Sequence, residues 1–252
     1  MSSENLENSL LAKPENLPSR EPETVKDYGK TLIVAPHPDD ESLGCGGAIA
    51  LLTKFKCDVN VVVVSDGTLS HPNSKKFPPE KLRDLREREM LEALRILSVS
   101  KNRVEFWRYK DRSVPNHNSP DFEKAVERCV AYLLRTKPQT VFVPWRRDPH
   151  PDHLASYRMF KTAIDQIDLQ IKIIEYPIWL WEIAQTPDAP QAFEVKGFKL
   201  DISSVFDVKQ QAIHAHKSQI TDLIDDDETA FRLTPEILRH FETDYEIYFE
   251  SL

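Results

Sequence analysis

The chain has 252 residues, 40% of them hydrophobic, enough for one well-buried core, and its 41 acidic against 33 basic side chains give a formal net charge of -8. That balance supplies no overall positive field, so neither nucleic acid nor an anionic membrane surface is expected as a partner. No apolar run is long enough for a transmembrane segment, the N-terminus lacks the basic and apolar regions of a signal peptide, and Cys45, Cys57 and Cys129 are too scattered for a disulfide framework, so a cytoplasmic location is expected.

Residues Met1 to about Tyr28 are rich in Ser, Glu, Asn and Pro without periodicity, and are expected to form a flexible tail ahead of a single domain, 29–252. The apolar run Leu32 to Ala35 then breaks at Pro36 and releases His37, Asp39, Asp40 and Glu41, followed by three glycines and a helix-like apolar stretch: strand, polar loop, helix. Asp58 to Ser65 is almost continuously β-branched, as a buried parallel strand requires. The loop after it, His71 to Pro79, falls at the same strand end, where His71 reads as a loop histidine. Glu80 to Leu97 has helical apolar spacing, Val104 to Trp107 reads as a strand, and Phe122 to Thr136 as a helix. Val141 to Val143 is a further strand, ending in a loop with Asp148, His150, Asp152 and His153 before a helix to about Ile167. Ile171 to Pro177 and Lys196 to Ile202 read as strands and Phe206 to Ile220 as one helix, with Trp179 and Trp181 between them suited to stacking or packing. The run from Asp225 to Glu228 reads as a solvated acidic turn. This alternation predicts an α/β fold, a doubly wound, mostly parallel sheet with helices on both faces.

Three acids and a histidine in five positions repel one another unless a cation or protons compensate them. Strand ends distant in sequence can be neighbours in a parallel sheet, whose carboxyl ends carry the sites of open α/β folds. His37, Asp40 and His153 could thus form a three-ligand metal site with an open position for water, while Asp39 remains beside them as a candidate base.

The segments PHPDDE and HPDH, in this order and each after a strand, resemble the PIG-L/LmbE family of zinc-dependent N-acetylglucosamine deacetylases. Pro36 stands where the family usually has Ala, which leaves the ligands intact. Arg86 and Glu89 look like the family's Arg-x-x-Glu helix, Asp111 falls in the loop after the third strand of this alternation, and AIHAHKSQI is similar to its His-x-Ser-Gln segment. The resemblance implies a Rossmann-like fold and one Zn2+ per chain on His37, Asp40 and His153. It further implies Asp39 as general base, His150 as the acid for the departing amine, Asp152 fixing the charge and orientation of His150, and Arg86 and Asp111 binding substrate. The expected reaction is hydrolysis of the N-acetyl amide of a small-molecule amino-sugar conjugate, releasing acetate. The group attached to the sugar is not legible, and the chain is compatible with a homo-oligomer.

Three other readings compete. Asp148-x-His150-x-Asp152-His153 also looks like a degraded two-metal hydrolase motif; Gly44-x-Gly46-Gly47 is a weak nucleotide- or methyl-donor-binding signal; and a non-catalytic sugar-binding module would bind without releasing acetate. No Gly-x-Ser-x-Gly elbow supports serine catalysis.

Overall fold

The structure, a computed structural model, describes residues 9–182 and 186–252. Residues 1–8 of the expected tail lie outside the described residues. Among the described residues eight strands form one sheet: β1 (Ser19–Arg20), β2 (Thr31–Ala35), β3 (Val59–Ser65), β4 (Val104–Tyr109), β5 (Thr140–Pro144), β6 (Lys172–Tyr176), β7 (Val195–Asp201) and β8 (Tyr245–Ser251). Their order is β1-β7-β8-β6-β5-β2-β3-β4, parallel throughout except for β8, which runs antiparallel between β6 and β7. The helices are α1 (Asp40–Lys54), α2 (Pro79–Ile96), α3 (Phe122–Thr136), α4 (Pro151–Asp165), α5 (Phe206–Ala215) and the single turns α6 (Lys217–Ile220) and α7 (Pro235–Leu238). No helix among the described residues is long and apolar enough to cross a membrane.

The β-branched runs alternate across the pleat, so each strand feeds both layers. Ile33, Ala35, Val61, Val63 and Phe142 pack with residues of α1, α2 and α5, whereas Leu32, Val34, Val62, Val64, Val141 and Val143 pack with α3 and α4. A sheet covered on both faces explains why these strands read as continuous hydrophobic segments.

Helix α1 is buried from Asp40 to Leu52, and its glycines are spaces for neighbouring side chains. A Cβ on Gly44 would meet the Tyr176 ring at 2.4 Å, and one on Gly47 would meet Ile202 at 2.5 Å. The Gly44-x-Gly46-Gly47 run therefore lies inside a helix packed on the sheet, with no phosphate-binding turn. Strand β8, which sequence reasoning does not assign, inserts the buried Glu246 beside this helix. Its carboxylate accepts the Gly47 and Ala48 N–H groups at 2.7 and 2.8 Å and the Tyr248 hydroxyl at 2.6 Å, with Lys209 Nζ at 3.0 Å.

Three segments depart from expectation. Residues 9–28, read as tail, are packed: Leu11 and Leu17 join Trp145, Ile247 and Phe249, β1 pairs with β7, Arg20 donates twice to Glu250, and Val25 and Tyr28 are buried. Apolar residues spaced without a helical or strand period carry no periodic signal, yet each finds a place in the core. The single helix expected over Phe206 to Ile220 breaks at His216, whose side chain is directed to Glu41. The acidic run from Asp225 is a clamp: Asp226 accepts the Ser74 hydroxyl and the Lys75 and Lys76 N–H groups, and Asp227 accepts the Asn73 N–H.

Because Gly47 faces Ile202 without slack, Gly47→Ala should cost roughly 1–3 kcal/mol by overpacking. Urea unfolding should show a lowered midpoint, partly restored by Ile202→Ala in the same chain; an unchanged midpoint would show that the glycine is not there for packing.

Candidate active site

Strand β2 lies between β3 and β5, and the connection from β2 turns one way along the sheet while that from β5 turns the other. The crevice between their carboxyl ends is the topological switch point, where open α/β sheets bind ligands. The loop from β2 to α1 brings His37, Asp39 and Asp40 into it, and the loop from β5 to α4 brings Asp148, His150, Asp152 and His153. The two polar loops, more than a hundred residues apart in sequence, meet because β2 and β5 pair in register, Thr31 opposite Thr140 and Ile33 opposite Phe142.

Three of these side chains converge on one point. His37 Nδ1 lies 3.3 Å from Asp40 Oδ2 and 3.3 Å from His153 Nε2, and His153 Nε2 lies 3.2 Å from Asp40 Oδ2. A tetrahedral ion with ligand bonds of about 2.0–2.1 Å has edges of about 3.3–3.4 Å between its ligand atoms, so this two-nitrogen, one-oxygen triangle fits a divalent cation of zinc type. Two looser groups share the same histidine: His37 with His150 and His153, and His37 with Asp111 and Asp152. Among the described residues Asp40 is the one carboxylate within 3.3 Å of both imidazoles, through the same oxygen, which makes it the candidate third ligand.

The remaining nitrogens of the two histidines face carboxylates, the arrangement that orients metal-binding imidazoles. His37 Nε2 is 3.2 Å from Asp152 Oδ2 and 3.5 Å from Asp111 Oδ1, and His153 Nδ1 is 3.3 Å from Asp148 Oδ1. Burial alone would lower both histidines, but the surrounding carboxylates raise His153 to about 9 and His37 well above its ordinary value. Burial would likewise raise Asp40, yet the two imidazoles hold it far below the usual carboxylate range.

Asp39 is not a corner of that triangle and pairs with Arg86, whose Nη2 donates to Asp39 Oδ2 at 3.0 Å and to the Pro38 carbonyl at 2.9 Å, while Nη1 donates to the Gly67 carbonyl at 2.7 Å. Its backbone is strained, with φ of 150°, and is held there by the Glu41 carboxylate on its N–H. Burial raises its carboxyl to about 6 despite the opposing pull of Arg86. Glu41 also meets His216 Nε2 at 3.1 Å, and Glu89 accepts the Ser218 N–H and hydroxyl, so the His216-x-Ser218-Gln219 segment clasps the starts of α1 and the middle of α2.

His150 caps α4, its Nδ1 accepting the Asp152 N–H at 3.2 Å, which leaves the N–H on Nε2. Burial, His153 and His37 push it down to about 3. The Asp152 carboxylate is on His37 and accepts the Arg112 N–H at 2.7 Å, so it does not grip His150 as expected; only its backbone does. Asp111, expected at the substrate, both lines the cavity and backs His37, with Oδ2 accepting the Leu69 N–H. Burial pulls its carboxyl up, but His37 and the backbone hold it well below the ordinary range. Arg86 does not pair with Glu89. Sequence reasoning leaves Asp148, Glu41 and His216 without roles, although Asp148 was visible as a fourth acid or histidine in its loop.

All eight expected site residues are thus within one site, and His37, Asp39, Asp40, Arg86, Asp111 and His150 line one cavity of about 280 Å³ together with Leu43, Leu69, Trp179, Phe231 and Leu233. That is near the lower end of ligand pockets, about 300–1,000 Å³, and suits one sugar-sized group with any conjugate extending outward. Trp179 and Phe231 meet edge to face at 5.4 Å on its apolar side.

The chain's residues 32–164 match the family model PIG-L, described as GlcNAc-PI de-N-acetylase. A probable N-acetyl-alpha-D-glucosaminyl L-malate deacetylase of Bacillus cereus is 26% identical over 199 residues, 77% of this chain and 86% of the relative. A diacetylchitobiose deacetylase of Thermococcus kodakarensis is 27% identical over 213 residues, 78% of this chain and 72% of the relative. In fold, the chain is similar to the N,N'-diacetylchitobiose deacetylase of Pyrococcus horikoshii, with a TM-score of 0.62 at 24% identity over 79% of this chain and 74% of that one. The matched span contains both loops that build the triangle, and by it the chain belongs to the PIG-L family.

Proposed function

We propose that the protein is a metal-dependent deacetylase that hydrolyses the N-acetyl amide of an N-acetylglucosamine-type conjugate, with one Zn2+ per chain on His37 Nδ1, Asp40 Oδ2 and His153 Nε2. The observation that carries this reading is the ligand triangle set at the switch point beside an unligated, buried Asp39. The relatives named as a probable N-acetyl-alpha-D-glucosaminyl L-malate deacetylase and a diacetylchitobiose deacetylase support an N-acetylated amino sugar as substrate.

When bound, the ion would polarise the amide carbonyl and acidify a water. Asp39 is placed to take that proton: a carboxyl raised to about 6 is ionised at neutral pH yet basic enough to hold a proton briefly. Arg86 fixes its orientation. His150 serves better as a neutral donor than as an imidazolium acid, because its neighbours disfavour its charge. Its Nε2–H would stabilise the negative charge that develops on the carbonyl oxygen. Asp39 would then return its proton to the amine nitrogen as the C–N bond breaks, leaving acetate and free amine. Asp111 is placed to orient a sugar hydroxyl.

Asp40→Asn should lose bound metal, whereas Asp39→Asn should keep it and lose roughly 10²- to 10⁴-fold in turnover. Elemental analysis and acetate release, measured together, check the assignment; retained metal and full activity in both variants would remove it.

His150→Gln keeps an N–H donor but no titratable group. It should retain at least roughly tenfold more activity than His150→Ala, whose loss should reach about 10²- to 10³-fold. Equal losses in the two would return His150 to the role of acid.

The carboxylates around His37 and His153 raise both above the ordinary histidine value, which favours the protonated imidazoles in the metal-free protein, and a metal must displace those protons. Calorimetry in buffers of different ionisation enthalpy should show release of on the order of two protons per ion at pH 7, with affinity falling as pH falls. Binding without proton release would contradict these ligands.

A further inference from the structure

We propose that Arg112 forms an anion-binding subsite at the edge of the cavity, so that the conjugate deacetylated here carries a carboxylate or phosphate on the group attached to its amino sugar. This rests on the deacetylase reading. Two arginines line the cavity, Arg86 and Arg112. The first is buried and committed to Gly67, Pro38 and Asp39. The second is exposed, and among the described residues its guanidinium has no hydrogen-bond or ion-pair partner. Elsewhere on the same molecule Arg108, Arg146 and Arg147 are each matched to a glutamate.

The position of Arg112 is fixed although its side-chain end is free. Its N–H donates to Asp152 Oδ2 at 2.7 Å, the carboxylate that also backs the ligand His37. Its φ of 58° is left-handed, a conformation that favours glycine and that a long side chain adopts only when the surroundings hold it. The guanidinium therefore starts from a point one carboxylate away from the ligand triangle and next in sequence to Asp111. The other charged groups of the cavity are already balanced: Asp39 faces Arg86, Asp40 faces His37 and His153, and Asp111 faces His37. An anionic substituent on a sugar seated over the triangle would find one uncommitted cation there, a planar donor group suited to two oxygens of a carboxylate or phosphate. A cationic substituent would be repelled, and a neutral one would leave the guanidinium in water.

Four substrates separate the possibilities: carboxymethyl N-acetylglucosaminide, its neutral carboxamide, N-acetylglucosamine 1-phosphate and methyl N-acetylglucosaminide. Each is assayed for acetate release with the metal-loaded full chain, and the matching free amines are assayed for equilibrium binding by calorimetry. One anion contact at a partly exposed site should favour the acid over the carboxamide by roughly tenfold in kcat/KM and in binding, expressed in KM and falling with salt. In Arg112→Ala the acid-to-carboxamide ratio should collapse to about one, and in Arg112→Lys it should be largely kept for phosphate and reduced for carboxylate. An acid-to-carboxamide ratio near one in the native chain, or a ratio that survives Arg112→Ala, overturns the subsite. If none of the four releases acetate, the deacetylase reading fails, and the binding ratio still decides whether Arg112 selects anions.

Discussion

The structure is organised by the need to keep many acids in one dry place. Asp39, Asp40, Glu41, Asp111, Asp148 and Asp152 are all buried around the carboxyl ends of β2 and β5. Uncompensated, such charges would repel one another and lose their hydration together, which no packing energy in a chain of this size could offset. Each is instead answered by a particular group: Asp39 by Arg86, Glu41 by His216, and Asp40, Asp148, Asp111 and Asp152 by the two imidazoles. A divalent cation in the triangle would complete this balance and take over the protons that the histidines otherwise hold.

The same acids carry the cavity walls. Asp148 backs His153 and also accepts the Ile178 and Trp179 N–H groups at 3.3 and 3.1 Å, so the aromatic side of the cavity is referenced to one corner of the triangle. Asp152 does the equivalent for His37 and the Arg112 main chain. The His216–Gln219 segment ties Glu41 and Glu89 together, and at the cavity edge the Leu233 N–H donates to the Gln219 carbonyl at 2.8 Å. A displacement in any of these supports would be felt at the triangle, because its atoms are shared with no slack between the layers.

Helix α1 delivers Asp40 from its first turn, and its fit on the sheet sets where that carboxylate stands. Gly44 and Gly47 let it approach Tyr176 and Ile202, while Glu246 collects two of its interior N–H groups. A buried acid reading a helix from a neighbouring strand is a costly arrangement unless fully satisfied, and here four donors satisfy it.

Much of this was legible in the sequence because it depends on local chemistry. The β-branched runs of β3 and β5, the helical spacing of α2, and a histidine with adjacent aspartates after each of two strands follow from residue type and order, and they specified the fold class and the ligand candidates His37, Asp40 and His153. Tertiary structure alone decided what each acid faces. Asp152 was expected on His150 and lies on His37; Arg86 was expected at the substrate and reaches Asp39 across the crevice; Gly44 and Gly47 of α1, part of a weak nucleotide-binding signal, are packing contacts with β6 and the residue after β7; and Leu11, Leu17 and Glu246 find partners that are far away in the chain. The physical reason is common to all of them: residue type fixes what a side chain requires, a partner for a charge or a cover for an apolar surface, but which partner supplies it depends on the register of strands distant in sequence.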